Sequence, residues 1–184
     1  DRCNSPKCAA VRAPSRPGLH GKKRRRVGSE YAQQLMEKQK VKFSYGLREA
    51  QLRKIFAAAL KNPGVTGELI ISLLEKRLDN TVYRLGLAPS RSVARQLVGH
   101  GHFLVNKKRV TIPSYQIKVG DIISIREASK SHFLFKDLNA KLKNFETPSW
   151  LELDKENLIG KSVADPKRIE IPFDINMVVD YYSK

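Results

Sequence analysis

Two arginines and two histidines lie in one short stretch of the chain, RSVARQLVGHGHFLVN, at residues 91–106. Side chains of these types can bind a metal ion, activate a nucleophile or hold a phosphate group. Arg91 and Arg95 are four residues apart, so a helix would place them on the same face. Because a guanidinium group can donate two parallel hydrogen bonds to one phosphate, this spacing favours phosphate binding.

A metal site or a catalytic site at His100 and His102 is the weaker interpretation. A structural metal site needs about four ligands, and no third or fourth ligand lies near the two histidines in the sequence. A catalytic base needs an oriented nucleophile, and Ser90 and Ser92 are better explained as residues that begin a helix. Two alternatives stay open for the histidines, which are contact with a nucleic acid and a simple polar role in a turn.

Helices and a small sheet must position these side chains. Apolar residues spaced by three and four predict helices over residues 29–42, 48–60, 67–86, 90–99 and 131–143. From residue 102 to residue 126 the period changes to two, which predicts short antiparallel strands with turns at residues 106–107, 113–114 and 120–121. One more short helix or strand is expected near residues 175–183. The sequence therefore predicts an α+β fold.

One basic patch is expected from the helix over residues 90–99 and the hairpin that follows it. Ser90 would cap the helix, and Gly101 would permit the tight turn after it. The helix face and the hairpin turn would bring together Arg91, Arg95, Gln96, Lys107, Lys108 and Arg109. A cluster of about five positive charges on one surface is typical of a nucleic-acid binder.

The charge of the whole chain also indicates a polyanionic partner. There are 35 Lys and Arg residues against 18 Asp and Glu residues, which gives a net charge of +17 over 184 residues. Self-repulsion at this charge opposes folding, so it is typical of proteins that bind nucleic acid. The sequence lacks the run of about 20 apolar residues that a spanning helix needs, so we expect no membrane partner.

Residues 1–28 are predicted to form a basic arm without regular structure, because prolines and glycines recur through it. Nine Lys or Arg residues lie in the basic arm and only Asp1 is acidic, which favours phosphate contact over a solvated tail. Both cysteines, Cys3 and Cys8, lie there too, and their scarcity fits a reducing, cytoplasmic compartment. Because the first residue is Asp and not Met, we expect that further residues precede Asp1.

Several separate motifs, taken in order, resemble one known family. Three segments resemble the RNA-binding module named after bacterial small-subunit ribosomal protein four. They are RLDNTVYRLG at residues 77–86, SRSVARQLVGHGHFLVN at residues 90–106 and PSYQIKVGD at residues 113–121. The segments that flank the module resemble the ribosomal protein four family itself. They are NSPKC, PGLHGKK, EKQK, YGLREAQLRKIF and VVDYYSK. The resemblance therefore extends over the whole chain.

This resemblance implies a fold of two lobes. A mostly helical lobe from both chain ends would comprise residues 29–72 and 152–184. The RNA-binding module would be inserted between these segments, at residues 73–151, with two helices packed on a small antiparallel sheet and a further helix. The basic arm, residues 1–28, would extend from the helical lobe.

The resemblance further implies a function without catalysis. Members of the family bind small-subunit rRNA at a multi-helix junction of its 5′ domain, nucleate assembly and act as monomers within the cytoplasmic ribosome. They border the path by which mRNA enters, beside small-subunit proteins three and five, and they influence decoding accuracy. Some repress translation of their own messenger, so a translational repressor or an RNA chaperone with the same module is the alternative.

Multipoint contact with RNA is the mechanism that these patterns favour together. In the basic arm the predicted RNA-binding residues are Arg2, Lys7, Arg12, Arg16, His20, Lys22, Lys23, Arg24, Arg25 and Arg26. In the helical lobe they are Lys38, Lys40 and Arg53. In the module they are Arg77, Arg91, Arg95, Gln96, His100, His102, Lys107, Lys108, Arg109, Ser114 and Tyr115.

A zinc ion is the one cofactor that the resemblance implies. The family often carries a structural zinc held by four cysteines in two pairs, and Cys3 and Cys8 resemble the second pair. The first pair would lie upstream of Asp1, so this sequence supplies half of a site that needs about four ligands. The alternative is two free thiols in a basic loop.

Asp79 raises an enzymatic alternative. Some pseudouridine synthases carry the same RNA-binding module, and their catalytic aspartate lies in an Arg-Leu-Asp motif like that of residues 77–79. Here the motif lies within the apolar stripe of a predicted helix, and a catalytic domain of roughly 100–200 residues has no room beside the module. We therefore expect Asp79 to pair with a nearby arginine and the protein to have no catalytic activity.

Overall fold

The described part of the chain divides into two compact units. A computed structural model describes residues 12, 13, 15, 18–21, 28–61, 66–136, 138–143, 145–167, 169 and 171–183. The terminal unit comprises residues 1–44 and 171–184, and the central unit comprises residues 45–170. The terminal unit thus draws on both chain ends, but its bounds differ from those of the helical lobe that the resemblance implied, residues 29–72 and 152–184.

Helices and short strands alternate in blocks along the chain, which confirms the predicted α+β class. The helices are α1 (Glu30–Ser44), α2 (Glu49–Leu60), α3 (Thr66–Glu75), α4 (Leu78–Arg84), α5 (Arg91–His100), α6 (Phe133–Lys136), α7 (Leu138–Leu142) and α8 (Ile175–Ser183). The strands are β1 (Phe103–Val105), β2 (Lys108–Arg109), β3 (Ile122–Ile125), β4 (Leu151–Asp154) and β5 (Ile159–Ser162).

The terminal unit is held together by the packing of α1 against α8. Val41 of α1 and Val178 of α8 are fully buried. At the start of α8, the backbone N–H of Asp174 donates a 3.0 Å hydrogen bond to the Glu37 carboxylate. The apolar contact and this polar contact together fix the short C-terminal helix on α1.

An antiparallel sheet with α4 and α5 forms the core of the central unit. Its strand order is β2-β1-β3-β5-β4. Phe103 pairs with Ile125 and Val105 with Ile123, so these side chains share one face and are buried against the two helices. The period-two pattern of residues 102–126 therefore predicted the core face of β1 and β3.

The long helix predicted over residues 67–86 is interrupted between α3 and α4. Lys76 and Arg77 leave the helix and pair with a neighbouring segment, because the Ile117 N–H donates to the Lys76 carbonyl at 2.8 Å and the Leu78 N–H to the Tyr115 carbonyl at 2.8 Å. The apolar stripe that predicted the helix is nevertheless fully buried at Ile70, Leu74, Leu78, Val82 and Leu85. Periodicity thus predicted burial correctly, and pairing with a distant segment changed the backbone.

Residues 151–162 extend the sheet of the central unit, although the resemblance placed residues from 152 onward in the helical lobe. β5 pairs with both β3 and β4. A Cβ atom at Gly160 would overlap Leu85 Cδ1, so glycine lets β5 pack closely on Leu85, the residue that follows α4. The single helix predicted over residues 131–143 is likewise two short helices, α6 and α7.

Candidate nucleic-acid interface

Local caps fix both ends of α5, the helix that carries the predicted arginine pair. Ser90 accepts a 3.3 Å hydrogen bond from the Val93 N–H, which confirms it as the N-cap. Gly101 ends the helix in the left-handed region at φ +76°, which confirms the predicted tight turn. The helix therefore has a defined length, with Arg91 and Arg95 one turn apart.

Arg91 is held by contacts on three sides of its guanidinium group. Its Nε donates a 2.7 Å hydrogen bond to the Asn80 side-chain oxygen. Its Cζ lies 4.7 Å from the ring centroids of both Tyr45 and Tyr83, so the cation is placed between two aromatic rings. Arg91 is half-buried, and its position is set before any ligand arrives.

Arg95 is also half-buried and is held by α4 and by the segment before α2. Its Nε lies 3.6 Å from the Asp79 carboxylate, and its Nη1 donates to the Gly46 carbonyl. Asp79 is 4% exposed and accepts two further hydrogen bonds, of 3.0 and 2.7 Å, from Arg77. This confirms that Asp79 pairs with nearby arginines.

Arg77 lies off this surface because it is buried. Only 3% of it is exposed, and its guanidinium group is committed to Asp79. Arg77 was predicted to contact phosphate, but its burial and its bonds to Asp79 favour a positioning role. Its charge neutralises Asp79, which in turn holds Arg95.

A second buried hydrogen-bond network is centred on Glu75 and links α3 to α4. The Glu75 carboxylate accepts hydrogen bonds from Tyr45 Oη at 2.7 Å, Asn80 Nδ2 at 2.7 Å, and Arg84 Nε and Nη2 at 2.9 and 2.7 Å. Burial alone would raise the pKa of Glu75, but the hydrogen bonds and charge of Arg84, with those of Tyr45 and Asn80, hold that pKa below its ordinary value. Glu75 is thus ionised and saturated with donors.

The β1–β2 turn presents three cations to solvent. Asn106 and Lys107 occupy the left-handed region at φ 49° and 66°, which suits a two-residue hairpin turn. Asn106 donates a 2.8 Å hydrogen bond to Asp121, and its side-chain oxygen accepts one of 2.9 Å from the Ile122 N–H. The turn is therefore pinned to β3, and the three exposed cations are Lys107, Lys108 and Arg109.

The hairpin and the end of α5 meet at Arg109. Its Nη2 donates a 3.2 Å hydrogen bond to the His100 carbonyl, which is an orphan acceptor at the helix end. Arg109 also packs on Gly101, where a Cβ atom would lie 2.2 Å from Arg109 Nε. The hairpin cations therefore meet the end of α5 at one surface, which we call the junction surface and define by His100, Lys107, Lys108 and Arg109. It contains only the hairpin part of the predicted patch, because Arg91 and Arg95 are held by other partners.

His100 is exposed, whereas His102 is half-buried. His102 Nδ1 lies 3.0 Å from the Ser129 hydroxyl oxygen. Burial lowers the pKa of His102, and the positive fields of His132 and His100 and of nearby arginines lower it further. His102 is therefore neutral at pH 7.

Three further predicted residues of the module, and Arg53 of the predicted helical lobe, are exposed and are not part of the junction surface. Gln96 is exposed on α5. Ser114 and Tyr115 are exposed in the segment that pairs with the start of α4, where the Tyr115 carbonyl accepts from Leu78. Arg53 is exposed on α2. RNA contact by these four residues stays a prediction.

In the terminal unit, the two predicted lysines differ in exposure. Lys38 is 5% exposed, with its Nζ 4.6 Å from the centroid of the Tyr181 ring. Lys40 is exposed and pairs with Glu37. The structure thus gives Lys40 access to solvent and encloses Lys38.

Of the basic arm, Arg12 and His20 are described and exposed. The other predicted residues of the arm lie outside the described residues: Arg2, Lys7, Arg16, Lys22, Lys23, Arg24, Arg25 and Arg26. Cys3 and Cys8, predicted to supply half of a zinc site, lie outside them as well. RNA contact by the arm and zinc binding by the cysteines stay predictions.

Sequence reasoning missed the residues that position the arginines. Asn80 holds Arg91, and Glu75 holds both Asn80 and Arg84. The signal was present, because Glu75 and Asn80 lie among the apolar residues of a predicted buried stripe. Polar residues at such positions need partners, and the nearest cations and amides are candidates.

The described residues show neither a metal site nor a membrane-spanning helix. No group of three or more His, Cys, Asp or Glu side chains among them is arranged to hold a metal ion. Within the same part of the chain, the helices are all too short or too polar to cross a membrane.

Comparison with known proteins gives a consistent assignment. The family model of the ribosomal protein S4/S9 N-terminal domain matches residues 2–75, and that of the S4 domain matches residues 76–123. Small ribosomal subunit protein uS4 of Caldicellulosiruptor bescii is 51% identical over 100% of this chain and 89% of its own length. The uS4 proteins of Acetivibrio thermocellus and Magnetococcus marinus are 49% and 48% identical over the same shares. The chain therefore belongs to the ribosomal protein S4 family.

Proposed function

We propose that this protein is a structural constituent of the small ribosomal subunit and binds small-subunit rRNA directly. Relatives over its whole length are named small ribosomal subunit proteins. The observation that carries direct RNA binding is the junction surface, where a pinned hairpin turn holds Lys107, Lys108 and Arg109 in solvent beside the end of α5. A cluster of fixed exposed cations is the feature that phosphate recognition requires.

The finer part of the proposal concerns where the protein acts. We infer that it binds a multi-helix junction in the 5′ domain of the rRNA and nucleates assembly there. Its neighbours in this proposal are small-subunit proteins three and five, along the path by which mRNA enters, where it influences decoding. The support is the resemblance of its motifs to the family, together with a positive charge of +17.

Preorganisation explains how the arginines of α5 would add affinity. Arg91 is held by Asn80 and two tyrosine rings, and Arg95 by Asp79. An arginine that is free in solution loses rotamer entropy when it binds phosphate, at a cost of about 0.5–1.5 kcal/mol. Side chains already ordered by folding avoid most of that cost, so these arginines position the RNA with little further loss of freedom.

Catalysis has no place in this function. Members of the ribosomal protein S4 family are structural proteins, and this chain is not an enzyme. Asp79, the residue that resembled a catalytic aspartate, is 4% exposed and bonded to Arg77. An enclosed, neutralised carboxylate cannot reach a base, so its role is to hold arginines.

Neutralising the hairpin tests the proposal with little risk to folding, because the changed side chains are exposed. We expect the double variant Lys107→Gln, Lys108→Gln to bind a transcript of the 5′ domain of small-subunit rRNA more weakly. The slope of log K against log salt should become shallower by about 1.5, since each lost phosphate contact removes about 0.7–0.9. Filter binding or fluorescence anisotropy over a salt series measures both quantities.

The matched control removes the same charge elsewhere in the central unit. Lys155 and Lys167 are exposed and lie outside the junction surface, so Lys155→Gln, Lys167→Gln should leave the salt slope close to that of the original protein. If both double variants change affinity equally, the junction surface is not the binding site. Binding that fails to distinguish the rRNA transcript from an unrelated RNA of equal length would reject specific rRNA recognition.

A further inference from the structure

Four aromatic rings form a row on the surface where α5 ends and α6 begins. Ring centroids are 6.0 Å apart for His100 and His102, 5.2 Å for His102 and His132, and 4.7 Å for His132 and Phe133. We call these four side chains the ring row. Its two end members are exposed, and 72% of Phe133 faces solvent.

The ring row rests on the core of the central unit. Phe135 is 4% exposed, and its ring centroid lies 6.1 Å from His102 and 5.9 Å from His132. Phe135 in turn packs edge-on against Phe103 of β1, at 6.0 Å. Because the inner rings are anchored in this way, a ligand that contacts the row meets a preorganised surface.

Two arginines lie beside the ring row. The backbone N–H of Arg126 donates a 2.9 Å hydrogen bond to the His102 carbonyl, and Arg109 Nη2 donates one of 3.2 Å to the His100 carbonyl. The nearest described acid on the 3₁₀ turn after β3, Glu127, is 2.8 Å from Lys130 and is balanced by it. The surface beside the ring row is therefore positively charged, which favours an anionic ligand.

We propose that the ring row binds an unpaired RNA base by stacking, while Arg109 and Arg126 hold the adjacent phosphate. The proposal rests on the proposed function, because it assigns a second contact to the same RNA. Proteins that recognise single-stranded loops and bulges combine exposed aromatic rings with basic side chains, since every base has a face that can stack. Double-stranded RNA offers no such face, so the ring row would select a looped or bulged nucleotide.

Charge complementarity favours RNA over a protein partner for this surface. An aromatic patch that docks an ordinary protein is typically depleted of charge at its centre. Here Arg109 and Arg126 bond the backbone of two ring-row residues, and histidines supply three of the four rings. A base with its phosphate satisfies both the rings and the cations at once.

Substitution at the outer ring tests the proposal without disturbing the core. We expect Phe133→Leu, which keeps an apolar side chain and removes the aromatic face, to weaken binding to the 5′-domain transcript by about five- to tenfold, the low end of a stacking contact. The salt slope should stay unchanged, because no phosphate contact is lost. Irradiation of the complex with ultraviolet light should also join RNA to the peptide that contains His132 and Phe133.

The control is an exposed phenylalanine elsewhere. Phe43 is 58% exposed on α1, so Phe43→Leu should leave affinity and the salt slope unchanged. If the lysine variants of the hairpin weaken binding while Phe133→Leu does not and no crosslink forms, the ring row does not stack on RNA and the proposed function stands. A loss of assembly with small-subunit proteins, at unchanged RNA affinity, would assign the ring row to a protein partner and overturn the proposal. If the hairpin variants also bind normally, the proposed function itself fails.

Discussion

Single residues show how much of the interface depends on buried charge. Glu75 is fully buried and accepts four hydrogen bonds, so the positions of Tyr45, Asn80 and Arg84 all depend on one carboxylate. Through Asn80 the same carboxylate influences Arg91. A residue that does not face the interface thus controls its geometry.

Removing this charge should be costly. We expect Glu75→Gln to lower the free energy of unfolding by roughly 3 kcal/mol, because it leaves the Arg84 cation without its partner and adds a buried donor. The matched surface change Glu127→Gln breaks the ion pair with Lys130, in which the Glu127 side chain is 85% exposed. It should lower the free energy of unfolding by less than about 0.5 kcal/mol. Urea titration at pH 7 compares the two variants.

The same carboxylate predicts a response to acid. Because the folded-state pKa of Glu75 lies below its ordinary value, its stabilising effect is complete above that ordinary value and is lost as pH falls through the folded-state pKa. The stability of Glu75→Gln should therefore vary less with pH below about 4.5 than that of the original protein. Equal acid dependence of the two proteins would show that Glu75 is not ionised in the fold.

At the scale of elements, the turn between α5 and β1 couples a helix end to the hairpin. Gly101 has a positive φ, and Arg109 fills the space that a Cβ atom would need. We expect Gly101→Ala to destabilise the protein by about 1–3 kcal/mol through backbone strain and displacement of Arg109, and to weaken RNA binding. Thermal unfolding and binding to the rRNA transcript are the measurements.

A substitution at Gly120 separates the effect of backbone strain from the effect of displacing Arg109. Its φ is +92°, yet a Cβ atom there would meet nothing within 4 Å. Gly120→Ala should therefore carry the backbone cost of about 1–2 kcal/mol and leave RNA affinity unchanged. If the two alanine variants bind RNA equally well, the contact between Gly101 and Arg109 has no role in recognition.

Elements also show what sequence reasoning can and cannot reach. The caps of α5 were predictable, since Ser90 and Gly101 act through local hydrogen bonds and backbone freedom. The interruption between α3 and α4 was not, because it depends on pairing with residues 115–117, which no local pattern encodes. The burial of Arg77 was not predictable for the same reason: an arginine in a helical pattern is ordinarily exposed, but this one pairs with Gln116 just before α4 and bonds Asp79.

At the scale of the whole molecule, the net charge of +17 should make the isolated protein sensitive to salt. Mutual repulsion among the cations opposes the compact state, and ions screen it over a Debye length of about 10 Å at 0.1 M salt. We expect the melting temperature of the free protein to rise as potassium chloride increases from about 0.05 to 0.5 M, a range over which screening becomes nearly complete.

RNA should reverse that response. In the complex, phosphate replaces salt as the neutralising charge, and added salt releases the RNA. The melting temperature of the complex should therefore fall over the same range in which that of the free protein rises. A free protein that loses stability with added salt would show that favourable exposed ion pairs, such as Lys130 with Glu127, outweigh repulsion.

The composition of the terminal unit determines the order in which the protein can fold during its synthesis. α1 is made early, but its packing partner α8 spans Ile175–Ser183. The whole central unit, residues 45–170, is translated between the two helices and can form its sheet and core first. All segments of the central unit are therefore translated before α8, and α1 cannot pack against its partner until α8 has also been made.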